Sequence, residues 1–198
     1  MEKYVITISR QFGAMGRTIA QNMAEDLGIE FYDRDIVEKT AKRMNLPVSE
    51  ISNEEERFGG FFAERRYPLG MGPVSLQEEI FQVQSNIIRD LASKESCILV
   101  GRCADYCLKD MDRVLNIFIY ASEAQRKENC ITKLGMNENT AEKMIKSVDK
   151  AREAYRHKYC AGVTGDFDHR DICIDSGKFG IEDTSKILCG IVRSIFEA

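Results

Sequence analysis

The chain is poor in metal ligands. It has two histidines, His157 and His169, and its seven cysteines, an odd number with no Cys-x-x-Cys pair, all lie between Cys97 and Cys189. These shortages argue against a zinc site of ordinary spacing and against a disulfide framework, and they predict reduced, mostly buried thiols. Cys103 and Cys107, one helical turn apart, read as core packing rather than as a metal or redox pair.

Excess positive charge is missing too: 28 Lys and Arg stand against 32 Asp and Glu, a net charge of −4. Nucleic acid and anionic membrane surfaces are therefore not expected as partners, and any basic site must be local. No run approaches the ~20 apolar residues of a membrane span. Met1-Glu2-Lys3 passes straight into a strand pattern without a signal core, so a cytoplasmic protein is expected. With 198 residues and 43% hydrophobic content the chain can bury one full core, and a single domain over 1–198 is expected.

What is present alternates. Short apolar runs at 4–8, 30–32, 97–100, 114–120 and 172–174 are separated by helical stripes such as Ile19, Ala20, Met23, Ala24 and Leu27. The pattern predicts an α/β fold, a five-stranded parallel sheet covered on both faces in three α/β/α layers. Gly28 and Gly135 read as helix stops; Ser75 with Glu78 and Ser122 with Gln125 read as capping boxes. Residues from about 52 to 73, rich in Glu, Gly, Arg and Pro, read as a mobile segment. The helices and glycines from about 126 to 165 read as a lid over the strand ends.

The stretch Ser9-Arg10-Gln11-Phe12-Gly13-Ala14-Met15-Gly16-Arg17-Thr18 has the layout of a phosphate-binding loop between a strand and a helix. Glycines let backbone N–H groups approach an anion, the helix N-terminus adds partial positive charge, and a Thr hydroxyl can ligate Mg²⁺. The lysine of such loops is absent in either register. If Gly16-Arg17-Thr18 stands for Gly-Lys-Ser/Thr, Arg17 replaces the lysine. If Gly13 is the loop's middle glycine, Gly16 occupies the lysine position. Met15 puts a side chain into this loop, where it is expected to crowd the phosphate path.

In parallel sheets ligands bind at the carboxyl ends of the strands. Those ends carry Ser9-Arg10, Asp33-Arg34-Asp35, Gly101-Arg102 and Asp175-Ser176, a mixture of guanidinium groups and carboxylates suited to a phosphorylated ligand with Mg²⁺. Asp35 is expected to cap the following helix while Asp33 faces the site. Asp149, Arg152 and Arg156 share one face of the long helix, and Arg126 lies near the start of the helix before it.

The strings Ile6-Thr7-Ile8-Ser9-Arg10-Gln11-Phe12-Gly13, Phe31-Tyr32-Asp33-Arg34-Asp35, Leu99-Val100-Gly101-Arg102, Asp149-Lys150-Ala151-Arg152 and Ile174-Asp175-Ser176 occur in order over nearly the whole chain. Together they resemble the cytidylate kinase-like family of P-loop proteins, similar to nucleoside monophosphate kinases. The resemblance implies an ATP-dependent phosphotransferase with ATP and Mg²⁺ as cofactors and a small-molecule nucleotide as substrate. It implies a donor loop of Ser9, Arg10, Gly13, Ala14, Met15, Gly16, Arg17 and Thr18, and an acceptor side of Asp33, Arg34, Gly101 and Arg102, joined by Arg156. Arg17, Asp33, Arg126 and Arg152 would be catalytic, with Arg126 and Arg152 reaching in from the lid; Thr18 and Asp33 would hold the metal. Cys103 follows the Gly-Arg pair where cytidylate kinases carry an aspartate. The acceptor could therefore be another small metabolite, and a degenerate P-loop protein that binds nucleotide without turnover is the rival reading.

Overall fold

In the computed structural model the described residues are 2–56, 73–160 and 169–197. Five strands form one parallel sheet: β1 (Val5–Arg10), β2 (Glu30–Tyr32), β3 (Cys97–Val100), β4 (Val114–Tyr120) and β5 (Ile172–Asp175), in spatial order β2-β3-β1-β4-β5. All five coincide with the apolar runs. Strand β3 is buried at every residue, as a central parallel strand covered on both faces must be. Register across the centre is pinned by a polar pair, Thr7 opposite Asn116, where Thr7 Oγ1 donates to Asn116 Oδ1 at 2.7 Å.

The helices are α1 (Gly16–Leu27), α2 (Arg34–Met44), α3 (Val48–Glu56), α4 (Pro73–Lys94), α5 (Ala104–Cys107), α6 (Glu123–Thr132), α7 (Glu138–Tyr159) and α8 (Ser176–Phe196). One sheet face, with Ile6, Ile8, Ile98, Ile117 and Ile119, packs on Ile19, Met23, Leu188 and Val192 of α1 and α8. The other, with Val5, Cys97 and Leu99, packs on Ile36, Ile87, Ile88 and Leu91 of α2 and α4, and on the end of α7 through Tyr159 and Cys160. Three layers result, as the alternating pattern requires.

Cap chemistry sets several boundaries. Gly28 ends α1 in the left-handed region, its N–H donating to Ala24 O. Ser122 caps α6 by accepting from Gln125 N, and Asn137 caps α7 by accepting from Thr140 N. Elsewhere the expectations need correction. Helix α4 starts at Pro73, the favoured first-turn residue, so Ser75 lies inside it and does not begin it. Of the segment expected to be mobile, residues 52–56 belong to α3 and Pro73 to α4, while 57–72 lie outside the described residues. Helix α3 forms because Ile51, fully buried, closes a small core with Val37, Ala41 and Ile80. Of the segment from about 126 to 165 expected as a lid, residues 126–132 belong to α6 and 138–159 to α7, while 161–165 lie outside the described residues.

Strand β1 lies between β3 and β4: the chain first runs to β2 and β3 on one side of it, then crosses to β4 and β5 on the other. The crevice this opens at the carboxyl edge is where the Ser9–Thr18 loop sits.

Candidate active site

Arg10 ends β1, and the chain turns through Gln11 to Met15 into α1. Gln11 N–H donates to Ile119 O, and Gln11 Oε1 accepts from Ala121 N, which ties the turn to the end of β4. Ser176 Oγ donates to Ala14 O from the first turn of α8. Met15 takes the left-handed conformation at φ 59°, a costly geometry for a side chain of this size. Helix α1 carries no side-chain cap and no acid in its first turn, leaving the first N–H groups directed at the crevice. Thr18, half-buried in this turn, has no hydrogen-bond partner for its hydroxyl among the described residues.

The loop is clamped from above. Asp149 Oδ1 accepts from Phe12 N–H at 2.7 Å, Arg126 Nη1 donates to Phe12 O and to Asp149 Oδ2, and Asn129 Nδ2 donates to Gly13 O at 2.9 Å. A Cβ at Gly13 would stand 2.7 Å from Arg126 O, and φ there is +78°. Gly13 is thus required by the close approach of α6 as well as by the turn. Arg126, expected over a transferring phosphoryl group, is instead spent on the loop backbone and Asp149.

Asp33 lies in the crevice, 7% exposed, with three guanidinium groups around it. Arg17 Nε is 3.2 Å from Oδ2, Arg102 Nη1 is 3.4 Å from Oδ1, and Arg10 Nη2 is 3.8 Å from Oδ1. Arg102 also donates to Asp33 O at 3.0 Å. Arg152 Nη1 donates to Arg10 O at 3.0 Å, so a fourth guanidinium joins them from α7. Burial, reinforced by Arg152 and opposed by Asp33, pushes the Arg10 guanidinium down to about 9, and burial pushes Arg152 down as well. Among the described residues, Asp33 and, 4.0 Å from Arg152, Asp149 are the carboxylates beside these four guanidinium groups, an arrangement suited to a phosphate anion.

Several expectations change here. Asp33, not Asp35, occupies the N-cap position of α2, yet it makes no capping hydrogen bond because its carboxylate is turned to the arginines. The same geometry works against Asp33 as a metal ligand, both oxygens already facing guanidinium nitrogens. Thr18 remains the residue suited to Mg²⁺. Arg34 is exposed and forms no ion pair among the described residues. Arg156 pairs with buried Asp105 of α5 at 2.7 Å and is not among the groups around Asp33. Gly101, Arg102 and Cys103 are all left-handed, at φ 79°, 51° and 52°, a strained turn that aims Arg102 back at Asp33. Sequence reasoning missed Asn129 and Asp105, for which no local signal exists; Ser176 was placed at the rim by its position at the end of β5.

Among solved structures, the chain resembles an uncharacterized protein from Eubacterium ventriosum ATCC 27560, with 27% identity, a TM-score of 0.73, and coverage of 97% of this chain and 99% of that one. Shikimate kinase from Acinetobacter baumannii in complex with shikimate matches at 14% identity and TM-score 0.56, over 98% and 95% of the two chains. Deoxyadenosine kinase from M. mycoides, with products dCMP and a flexible dCDP bound, matches at 15% and 0.51, over 96% and 99%. The latter two likenesses show a P-loop kinase fold. No curated protein matches. The loop at the switch point, the Gly-Arg turn after β3 and Arg152 of α7 fall within residues 5–178, which match the model of the cytidylate kinase-like family, and the chain belongs to that family.

Proposed function

We propose that this protein is an ATP-dependent phosphotransferase whose acceptor is a nucleoside monophosphate or another small phosphorylated or hydroxylated metabolite. The observation that carries the reading is the group of four arginines, Arg10, Arg17, Arg102 and Arg152, gathered beside an uncapped helix N-terminus with the buried Asp33 carboxylate among them. In-line transfer between phosphates needs positioning and neutralisation of charge more than covalent chemistry.

The donor phosphates lie along the Gly13–Thr18 backbone in this reading. Mg²⁺, held by Thr18 and phosphate oxygens, supplies further charge neutralisation when bound. Arg102, fixed by the strained turn after β3, meets the acceptor, and Asp33 keeps Arg17 and Arg102 pointed into the crevice. Arg152, reaching from α7, stabilises charge that develops on the transferring group.

The test is ADP release with ATP and Mg²⁺ across CMP, dCMP, UMP, AMP, GMP and shikimate. Turnover with one acceptor well above the background hydrolysis of ATP is the expected result. Binding of ATP without turnover on any acceptor would replace the enzyme with a nucleotide-binding module, a reading favoured by Met15 and the absent lysine.

A further inference from the structure

Resting on the kinase reading above, we propose that Arg10 takes the place of the missing loop lysine as the cation that grips the donor phosphates. In the pattern Gly-x-x-x-x-Gly-Lys the lysine follows the first glycine by six residues. With Gly13 as the middle glycine, the lysine position is Gly16 and the first-glycine position is Arg10. The two residue types are exchanged: a cation stands where the pattern has no side chain, and no side chain stands where the pattern has its cation.

The fold shows why the exchange works, because the two positions touch. A Cβ at Gly16 would lie 2.7 Å from Arg10 Cβ and 3.0 Å from its Cγ, so the stem of Arg10 fills the volume through which a lysine at 16 would leave the helix. Farther along, a Cβ at Gly101 would overlap Arg10 Nη1. Two glycines on separate elements therefore clear a path for this one side chain, from the end of β1 across the turn after β3. Its contact with Asp33, at 3.8 Å, is the longest of the three, and Arg152, Arg102 and Arg17 all repel it. Arg17, the other candidate for the lysine's role, is 59% exposed and engages Asp33 at 3.2 Å. Arg10, its side chain 17% exposed, is thus channelled and has only a long contact with Asp33 among the described carboxylates, the condition of a group able to take a phosphate.

The experiment is calorimetric titration of the full chain with ATP and with inorganic tripolyphosphate, alongside thermal melts. Arg10→Met, which keeps the stem, is expected to weaken both ligands by about tenfold to a hundredfold, the usual range for a charge-assisted phosphate contact. Arg10→Lys restores charge and is expected to stay within a few-fold of the parent. Gly16→Lys alone should melt earlier, since its side chain meets Arg10, whereas the exchange variant Arg10→Gly/Gly16→Lys should recover affinity. Undiminished binding by Arg10→Met overturns the inference and leaves the kinase reading standing. Arg10→Lys binding no better than Arg10→Met, or a folded exchange variant that fails to bind, also overturns it. A parent protein that binds neither ligand removes the kinase reading and this inference with it.

Discussion

Asp33 shows how much one side chain can organise. Removing its charge leaves Arg10, Arg17 and Arg102 facing one another in a poorly solvated crevice, and Asp33→Asn is expected to cost about 1–3 kcal/mol in urea unfolding. The figure is kept below that of a fully buried pair because Arg17 is mostly solvated. Tripolyphosphate should return part of this loss, raising the melting temperature of Asp33→Asn by more than that of the parent. For Arg152, whose guanidinium holds Arg10 O, steady-state kinetics on Arg152→Ala should show a fall in kcat much larger than any rise in KM for ATP. Arg10, Asp33 and Arg102 were legible in the sequence because strand ends in parallel sheets are where ligands bind, and Arg152 from its face of the long helix and the family resemblance. Arg126 and Arg156 were legible as charges but not as partners. Asp149 and Asp105, which engage them, are brought close by helix docking, and no local spacing records that.

Helices α6 and α7 act on the loop as a unit, through Asp149 to Phe12 N–H, Arg126 to Phe12 O and Asn129 to Gly13 O. Asp149→Ala strands the Phe12 N–H and loosens Arg126. Faster hydrogen exchange at Phe12 and a loss of about 1–3 kcal/mol are expected, with exchange in β3 unchanged. Gly13→Ala, at positive φ and against Arg126 O, should be destabilising by about 1–3 kcal/mol in the same measurement. Helices with long stripes and side-chain caps, α6 and α7 among them, could be placed from sequence. Helix α3 could not, since only Val48 and Ile51 mark its apolar side and Glu54–Glu56 read as loop. Nor could α5, whose four residues are too few for a period to show.

Across the whole molecule, charge and thiols give two readouts. The chain is acidic overall, so attraction of polyanions must come from the rim alone, and affinity for tripolyphosphate is expected to fall steeply between low salt and 0.5 M NaCl. All seven cysteines are free, and six are buried; burial pushes Cys97 and Cys189 up to about 12 and Cys107 to about 11. Iodoacetamide at neutral pH should therefore label Cys173 first, with mass spectrometry finding the others modified only after unfolding. Reduced, packed thiols could be read from their number and spacing, as could the sheet and its layers from alternation. The clamp on the loop could not, because its bonds join residues 114 to 137 positions apart. That separation has a consequence for biosynthesis. A nascent chain halted before α7 has emerged can pair β1 to β4 but has no Asp149 to hold Phe12, so its loop is unset. The contacts that set the loop are thus completed only once translation has passed α7.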